Sequence, residues 1–254
     1  MNNLPWTATL GDELRTLTAL PTEPVAVYLV PSQAEQPERA GFSRLESHRW
    51  CQALMHARHG ESVRLESRDC ACPAATAAFG FKPLPEGLAD GTGLVGFGIV
   101  QSAATGRNMF LGMSHLPSGA FLALEACPLS DAPSPPDVIV LEGSPESLMW
   151  VALADLNLEG GARRRADTAV LQATCVDVVV IPYIERRLNF SLGCYGCREA
   201  TDLRPEETVL GFPGDRLPAI VATLRALQEK AIPRSRAKAV FHFHQEKENP
   251  HEGK

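Results

Sequence analysis

The 254-residue sequence lacks several features that would assign it to a functional class. It has no apolar run near the roughly 18–20 residues that a membrane-spanning helix needs. Its N-terminus has neither the basic nor the apolar stretch of a signal peptide. Its net charge is −6, which disfavours a broad nucleic-acid-binding face. We therefore expect a soluble, cytoplasmic protein that binds neither membranes nor nucleic acid.

The common catalytic signatures are also missing. The sequence contains no H-E-x-x-H, no P-loop and no G-x-S-x-G motif. Residues 91–96 match G-x-G-x-x-G, but a segment rich in proline and glycine precedes them instead of a strand, and no helical pattern follows. A dinucleotide site needs both neighbours. We therefore predict a loop over residues 82–98.

The composition indicates a globular protein, with 44% hydrophobic and 21% charged residues. The apolar run at residues 25–30 predicts a buried strand, and so does the run at residues 138–141. Ser144, Pro145 and Glu146 then favour the start of a helix that continues to about residue 158. We predict an α/β or α+β fold: one domain with a mixed sheet and helices over residues 1–232, followed by a disordered, flexible polar tail at 233–254.

Weaker patterns complete this prediction. Residues 63–66 alternate like a short strand, and residues 120–126 also predict a strand. The apolar run at 178–181 favours a strand, whereas residues 171–177 fit a helical turn. Proline is common at the first position of a helix, so Cys72-Pro73 predicts a small-residue helix with Cys72 as its N-cap. Apolar spacing predicts further helices at residues 10–20, 43–59, 105–116 and 217–227.

The chain contains seven cysteines, an odd number, and no export signal, so a disulfide framework is not expected. Metal ligands, redox thiols and small buried residues remain as three possible roles. The residues are Cys51, Cys70, Cys72, Cys127, Cys175, Cys194 and Cys197.

Cys194-Tyr-Gly-Cys197 is the most informative motif because two thiols at this spacing can reach one metal ion. A thioredoxin-like redox pair would open a helix after a strand, and the polar segment before Pro205 disfavours that. A four-thiolate site that suits zinc or an iron–sulfur cluster needs partners for this pair. The candidates are Cys70, Cys72, Cys51 and Cys175. Taken singly, Cys51 and Cys175 also fit small core residues, and Cys127 fits a structural position.

Several stretches together resemble one family of archaea and bacteria. They are Trp50-Cys-Gln-Ala-Leu-Met-His-Ala-Arg-His-Gly60, Cys72-Pro-Ala-Ala, Phe79-Gly-Phe-Lys-Pro-Leu-Pro-Glu-Gly87, Gly93-Leu-Val-Gly-Phe-Gly-Ile-Val100, Leu171-Gln-Ala-Thr-Cys-Val-Asp177 and Asn189-Phe-Ser-Leu-Gly-Cys-Tyr-Gly-Cys-Arg198. Over residues 24–232, the chain resembles domain-of-unknown-function family 169, which has no assigned activity. The resemblance implies that Cys51, Cys72, Cys175, Cys194 and Cys197 are the family's cysteines, and that Cys70 and Cys127 are additions.

The leading hypothesis is an iron–sulfur cluster, with zinc as the alternative metal, held by Cys51, Cys72, Cys175 and one or both of Cys194 and Cys197. Such a site would serve redox chemistry or the conversion of a small-molecule substrate. Asp177 and Arg198 are candidates for orienting its ligands.

Two other hypotheses stay open. The first is a non-enzymatic protein that binds a ligand or senses redox state through its thiols. The second is a thiol-nucleophile enzyme that uses Cys72 or Cys194 with His48 or His115.

Overall fold

The computed structural model describes residues 6–33, 39–238 and 240–242, and in these ranges seven strands form one sheet. The strand order is β2-β3-β4-β1-β5-β7-β6, and every neighbouring pair is antiparallel except the parallel pair β2–β3. The fold is therefore a mixed sheet with helices, as the sequence predicts. The strands are β1 (Val25–Pro31), β2 (Ser43–Arg44), β3 (Val63–Glu66), β4 (Phe121–Pro128), β5 (Val138–Gly143), β6 (Asn189–Ser191) and β7 (Thr208–Pro213).

Helices cover both faces of this sheet. In the described part of the chain, no helix is both long and apolar enough to cross a membrane. The helices are α1 (Trp6–Thr18), α2 (Trp50–Arg58), α3 (Pro73–Ala78), α4 (Glu86–Ala89), α5 (Thr92–Gly96), α6 (Ala103–Leu111), α7 (Pro145–Leu158), a π-helix (Ala173–Val180), α8 (Ile181–Glu185), α9 (Tyr195–Ala200), α10 (Leu217–Gln228) and α11 (Ala231–Arg236).

Alternation along β1 divides the core in two, because successive side chains of a strand point to opposite faces. Val25 and Val27 pack on the face covered by α2, α3, α9 and the π-helix, which we call the cysteine face. Ala26 and Tyr28 pack on the other face, against α1, α7 and α10. Both layers of helices therefore bury the apolar side of their own surface against the same sheet.

The strongest sequence signals are confirmed. β1, β3 and β5 lie where the apolar runs predict them, and α7 ends at Leu158. The Ser144 hydroxyl accepts a hydrogen bond from the Ser147 backbone N–H at 3.1 Å, and Pro145 occupies the first turn. Val25 of β1 pairs with Val140 of β5, so the sheet continues across the proline-rich segment at 133–136.

The prediction of a strand at residues 178–181 is wrong. This segment is the end of the π-helix and the start of α8. A continuous apolar run fits a helix that is buried on all sides as well as it fits a strand. All eight residues of the π-helix are buried, so nothing in their polarity separates the two.

Three boundaries also differ from the sequence prediction. The helix predicted from residue 43 begins at Trp50, because residues 43–44 pair with β3. The predicted loop at 82–98 contains α4 and α5. The predicted boundary of the tail, residue 233, falls inside α11, and residues 243–254 lie outside the described residues.

Candidate functional site

Five of the seven cysteines line one cavity of about 280 Å³ on the cysteine face. Cys51 comes from α2, Cys72 is the N-cap of α3, and Cys175 belongs to the π-helix. Cys194 and Cys197 lie at the start of α9. These are the five that the family resemblance singles out. Cys127 packs on the opposite face of the sheet, and Cys70 lies beside Cys72 without lining the cavity.

The Cys194–Cys197 pair sits at the N-terminus of α9, directly after β6. Gly193 has a φ of +84°, which suits glycine and turns the chain between the two elements. The Cys194 sulfur then accepts a hydrogen bond from the Cys197 backbone N–H at 3.4 Å. The pair thus opens a helix after a strand, and the expectation that it does not is wrong. Pro205 does not break α9, because the helix ends at Ala200.

The two thiols of this pair are in contact, with 3.0 Å between their sulfur atoms. The Thr174 hydroxyl forms a hydrogen bond with the Cys197 thiol, with 3.2 Å between oxygen and sulfur. Tetrahedral zinc with Zn–S bonds of about 2.3 Å separates its sulfurs by about 3.8 Å, and a disulfide brings them to about 2.05 Å. The pair must therefore open slightly to bind a single metal ion, or close by about 1 Å to form a disulfide.

Cys175 is positioned by an unusual backbone. The π-helix follows two residues in the left-handed region, Val170 (φ 51°) and Gln172 (φ 59°), which side chains disfavour. The indole N–H of Trp50 donates to the Thr174 carbonyl at 3.0 Å, and Asn189 donates to the Asp177 carbonyl at 2.8 Å. π-Helices are rare and frequently occur at functional sites. Here the π-helix places Cys175 beside the other four thiols.

The protein environment favours the neutral form of three of these thiols. Burial, followed by the nearby Cys72, Cys194 and Cys197, raises the pKa of Cys175 well above its usual value. The hydrogen bond with Cys197, together with burial, also raises the pKa of Cys194. The hydrogen bond with Cys194 lowers the pKa of Cys197, but Cys51 and burial outweigh it and the pKa rises to about 12.

Apolar residues from a segment of three short helices also line the cavity. We call residues 86–111, which hold α4, α5 and α6, the apolar cap. Gly91 and Gly106 let these helices approach closely, since a Cβ on Gly91 would lie 2.1 Å from the Ala103 carbonyl oxygen. The cap residues that line the cavity are Leu88, Leu94, Phe97, Ile99 and Phe110.

The other candidate residues lie outside this cavity. Asp177 accepts a hydrogen bond from the Thr168 hydroxyl at 2.6 Å, and burial raises its pKa to about 6. Arg198 donates to the Leu192 and Glu207 carbonyls and so braces the turn before α9. Of the two histidines considered as nucleophile partners, the His48 ring contacts the Glu46 carbonyl and the His115 ring contacts the Leu116 carbonyl. In the part of the chain that the structure describes, no histidine lines the cavity.

Two polar residues of the cavity have no signal in the sequence, Gln172 and Thr174. Both belong to residues 171–177, for which the sequence indicates a helical turn without identifying the π-helix that follows from Ala173 to Val180. Within the described residues, no three His, Cys, Asp or Glu side chains already stand as a preformed metal-binding group. The site is a layer of adjoining thiols under an apolar cap.

Comparison with known proteins identifies relatives but no activity. The model of family DUF169, described as uncharacterised ArCR, matches residues 13–223. The uncharacterized protein MJ0308 of Methanocaldococcus jannaschii is 30% identical over 208 residues, which cover 81% of this chain and 88% of that protein. No solved structure matches the chain. The chain therefore belongs to the DUF169 family.

Proposed function

We propose that this protein is a metalloprotein in which Cys51, Cys72, Cys175 and one or both of Cys194 and Cys197 hold an iron–sulfur cluster. The observation that carries the proposal is the convergence of five thiols from four separate segments on one cavity. Packing alone does not need this arrangement, since Cys127 fills a core position on the other face by itself. Thiolate sulfur is the ligand that iron–sulfur clusters and zinc prefer.

The raised pKa values of the thiols disfavour nucleophilic thiol chemistry in the metal-free protein. The reactive form of cysteine is the thiolate, and a raised pKa keeps Cys175, Cys194 and Cys197 protonated at neutral pH. A bound cation deprotonates its thiol ligands outright. Metal binding stays open to these thiols, because the cation would displace their protons.

The position of the thiols favours a reactive cluster over structural zinc. Structural zinc sites are closed on all four sides by protein ligands. Here the thiols line a cavity that apolar residues of the cap also line, so a small molecule could lie next to the metal. A bound cluster would supply electron transfer, or substrate activation at an exchangeable iron. The chain itself contributes the apolar walls and the thiols, which would fix the cluster.

Single Cys-to-Ser variants test this proposal, with Cys70→Ser as the matched control. Cys70 adjoins Cys72 and is half-buried, but it does not line the cavity. With protein purified without oxygen, we expect Cys51→Ser, Cys72→Ser and Cys175→Ser to lose most of their iron and acid-labile sulfide. Cys70→Ser should retain wild-type amounts. Far-UV circular dichroism checks that each variant is folded. Equal metal content in all four folded variants would contradict the proposal.

The contact between Cys194 and Cys197 favours a second candidate, a thiol redox sensor. Hydrogen peroxide would take two electrons and two protons from the pair, forming one disulfide and two molecules of water. Under this alternative, protein purified free of metal gains a Cys194–Cys197 disulfide with peroxide and loses it with dithiothreitol. Peptide mass mapping after alkylation detects both steps. Absence of that disulfide in folded, metal-free protein excludes the sensor.

A further inference from the structure

The cavity beside the thiols has the composition of a binding site for a small organic molecule. Its volume of about 280 Å³ lies near the lower end of the range for ligand pockets. Two apolar side chains on its rim, Phe97 and Tyr195, are exposed by 72% and 55%. Apolar surface that stays exposed at the mouth of a concave site is typical of ligand-binding regions.

Gln172 is a buried polar residue with an unpaired donor in this apolar setting. It lines the cavity and is 7% exposed, and among the described residues its amide nitrogen has no hydrogen-bond partner. A buried donor without a partner is unfavourable, and a ligand that accepts a hydrogen bond from it removes that penalty. Gln172 itself has a left-handed backbone and is the N-cap residue of the π-helix.

The charges at the cavity favour a neutral ligand. Arg49 and Glu199 are the charged residues that line it, and they pair with each other at 2.8 Å. Arg49 also donates to the Gly196 carbonyl at 3.4 Å. The two charges largely offset each other, and the apolar cap would make an ion costly to bury.

From these contacts we infer a binding site for a small, neutral, mainly apolar molecule that carries a carbonyl-type acceptor. The Gln172 amide donates to the acceptor, and the apolar cap covers the hydrocarbon body. The site is defined by Gln172 and the cap, so it does not depend on which metal the thiols hold.

Two probes of nearly equal shape test the inference: acetophenone, which has a carbonyl acceptor, and isopropylbenzene, which has none. Each is titrated into the full-length protein as purified, and ¹H–¹⁵N spectra follow the Gln172 side-chain amide, identified by its loss in Gln172→Leu. We expect acetophenone to bind more tightly than isopropylbenzene and to shift the Gln172 amide. Gln172→Leu should weaken acetophenone binding about three- to tenfold, the range for one neutral hydrogen bond, and leave isopropylbenzene unchanged.

A second pair of variants locates the probes. Ala74 lines the cavity, whereas Ala77 lies on the same helix outside it. We expect Ala74→Phe to fill the cavity and abolish binding of both probes, and Ala77→Phe to leave both unchanged. Metal content is measured on each sample. If the wild-type protein contains no metal but binds both probes as expected, the result counts against the cluster proposal only.

The inference is overturned by any of three results in folded protein. The first is the absence of acetophenone binding up to its solubility limit. The second is probe binding that survives Ala74→Phe. The third is an equal loss of affinity for both probes in Gln172→Leu.

Discussion

The Trp50 indole N–H donates a hydrogen bond to the Thr174 carbonyl at 3.0 Å, and this bond links two of the segments that carry cavity thiols. Trp50 is adjacent to Cys51 at the start of α2, and Thr174 is adjacent to Cys175 in the π-helix. Trp50 is also fully buried and packs edge-on against Phe79. The relative placement of Cys51 and Cys175 therefore depends on this contact.

Replacing Trp50 by Phe should destabilise the protein by about 1–3 kcal/mol, because the Thr174 carbonyl loses its buried donor. Part of the loss also comes from the smaller ring. Urea unfolding followed by far-UV circular dichroism measures the change.

Trp150→Phe is the matched control for that prediction. Trp150 is also buried, but among the described residues its indole nitrogen has no hydrogen-bond partner. Its substitution removes ring volume and no hydrogen bond, so it should cost less than Trp50→Phe. A larger loss for Trp150→Phe would show that the bond to Thr174 contributes little.

Gly211 of β7 allows the π-helix to lie directly on the sheet. A Cβ at this position would be 2.0 Å from the Val178 carbonyl oxygen, which is backbone and cannot rotate away. We expect Gly211→Ala to destabilise the protein by about 1–3 kcal/mol, the usual cost of overpacking, and to move the π-helix. Thermal unfolding monitored by circular dichroism tests the stability.

Gly112→Ala provides the comparison for this substitution. Gly112 has a φ of −90°, and a Cβ there would meet nothing within 4 Å. We expect its thermal unfolding to match the wild type closely. If Gly211→Ala is equally harmless, the π-helix does not rest on β7 as tightly as described.

The buried pair Arg58–Glu142 predicts a pH dependence of stability. Burial raises the pKa of Glu142 to about 7. Arg58 lies 2.9 Å away and opposes this rise, but Glu207 and Asp202 share the same arginine and their negative charges raise the pKa further. Because its pKa is raised, Glu142 binds a proton more tightly in the folded state than in the unfolded state. Its contribution to the free energy of unfolding is therefore fully present below pH 4.5 and is lost as the pH rises through about 7. Glu142→Gln should remove this decline.

Urea unfolding between pH 5 and 8 measures that effect. Relative to Glu142→Gln, the wild type should lose about 1–3 kcal/mol across the range, given a maximum of about 1.4 kcal/mol per pH unit for one group. Glu229→Gln, at an exposed position after α10, serves as the control and should follow the wild type. Parallel curves for wild type and Glu142→Gln would contradict the prediction.

Where local rules suffice, the sequence predicts this fold well. Ser144 and Pro145 mark the start of α7 because capping depends on neighbouring residues alone. The apolar run of β5 likewise forms an interior strand of the sheet, between β1 and β7. The five cysteines can be selected by family resemblance, and the cavity brings all five together.

The rest of the site depends on tertiary contacts. The apolar segment 173–180 forms a π-helix because it is enclosed by β7 and α2, and the sequence pattern contains neither neighbour. Gln172 becomes a cavity residue only through its left-handed backbone. The glycines of residues 91–106 suggest a loop until the close approach of α5 and α6 explains them.

The most direct test of the account is the metal and sulfide content of the full chain purified without oxygen, with its absorption spectrum recorded on the same sample. The account predicts broad visible absorbance, with iron and acid-labile sulfide in similar amounts. A colourless protein that contains neither iron nor sulfide would contradict it.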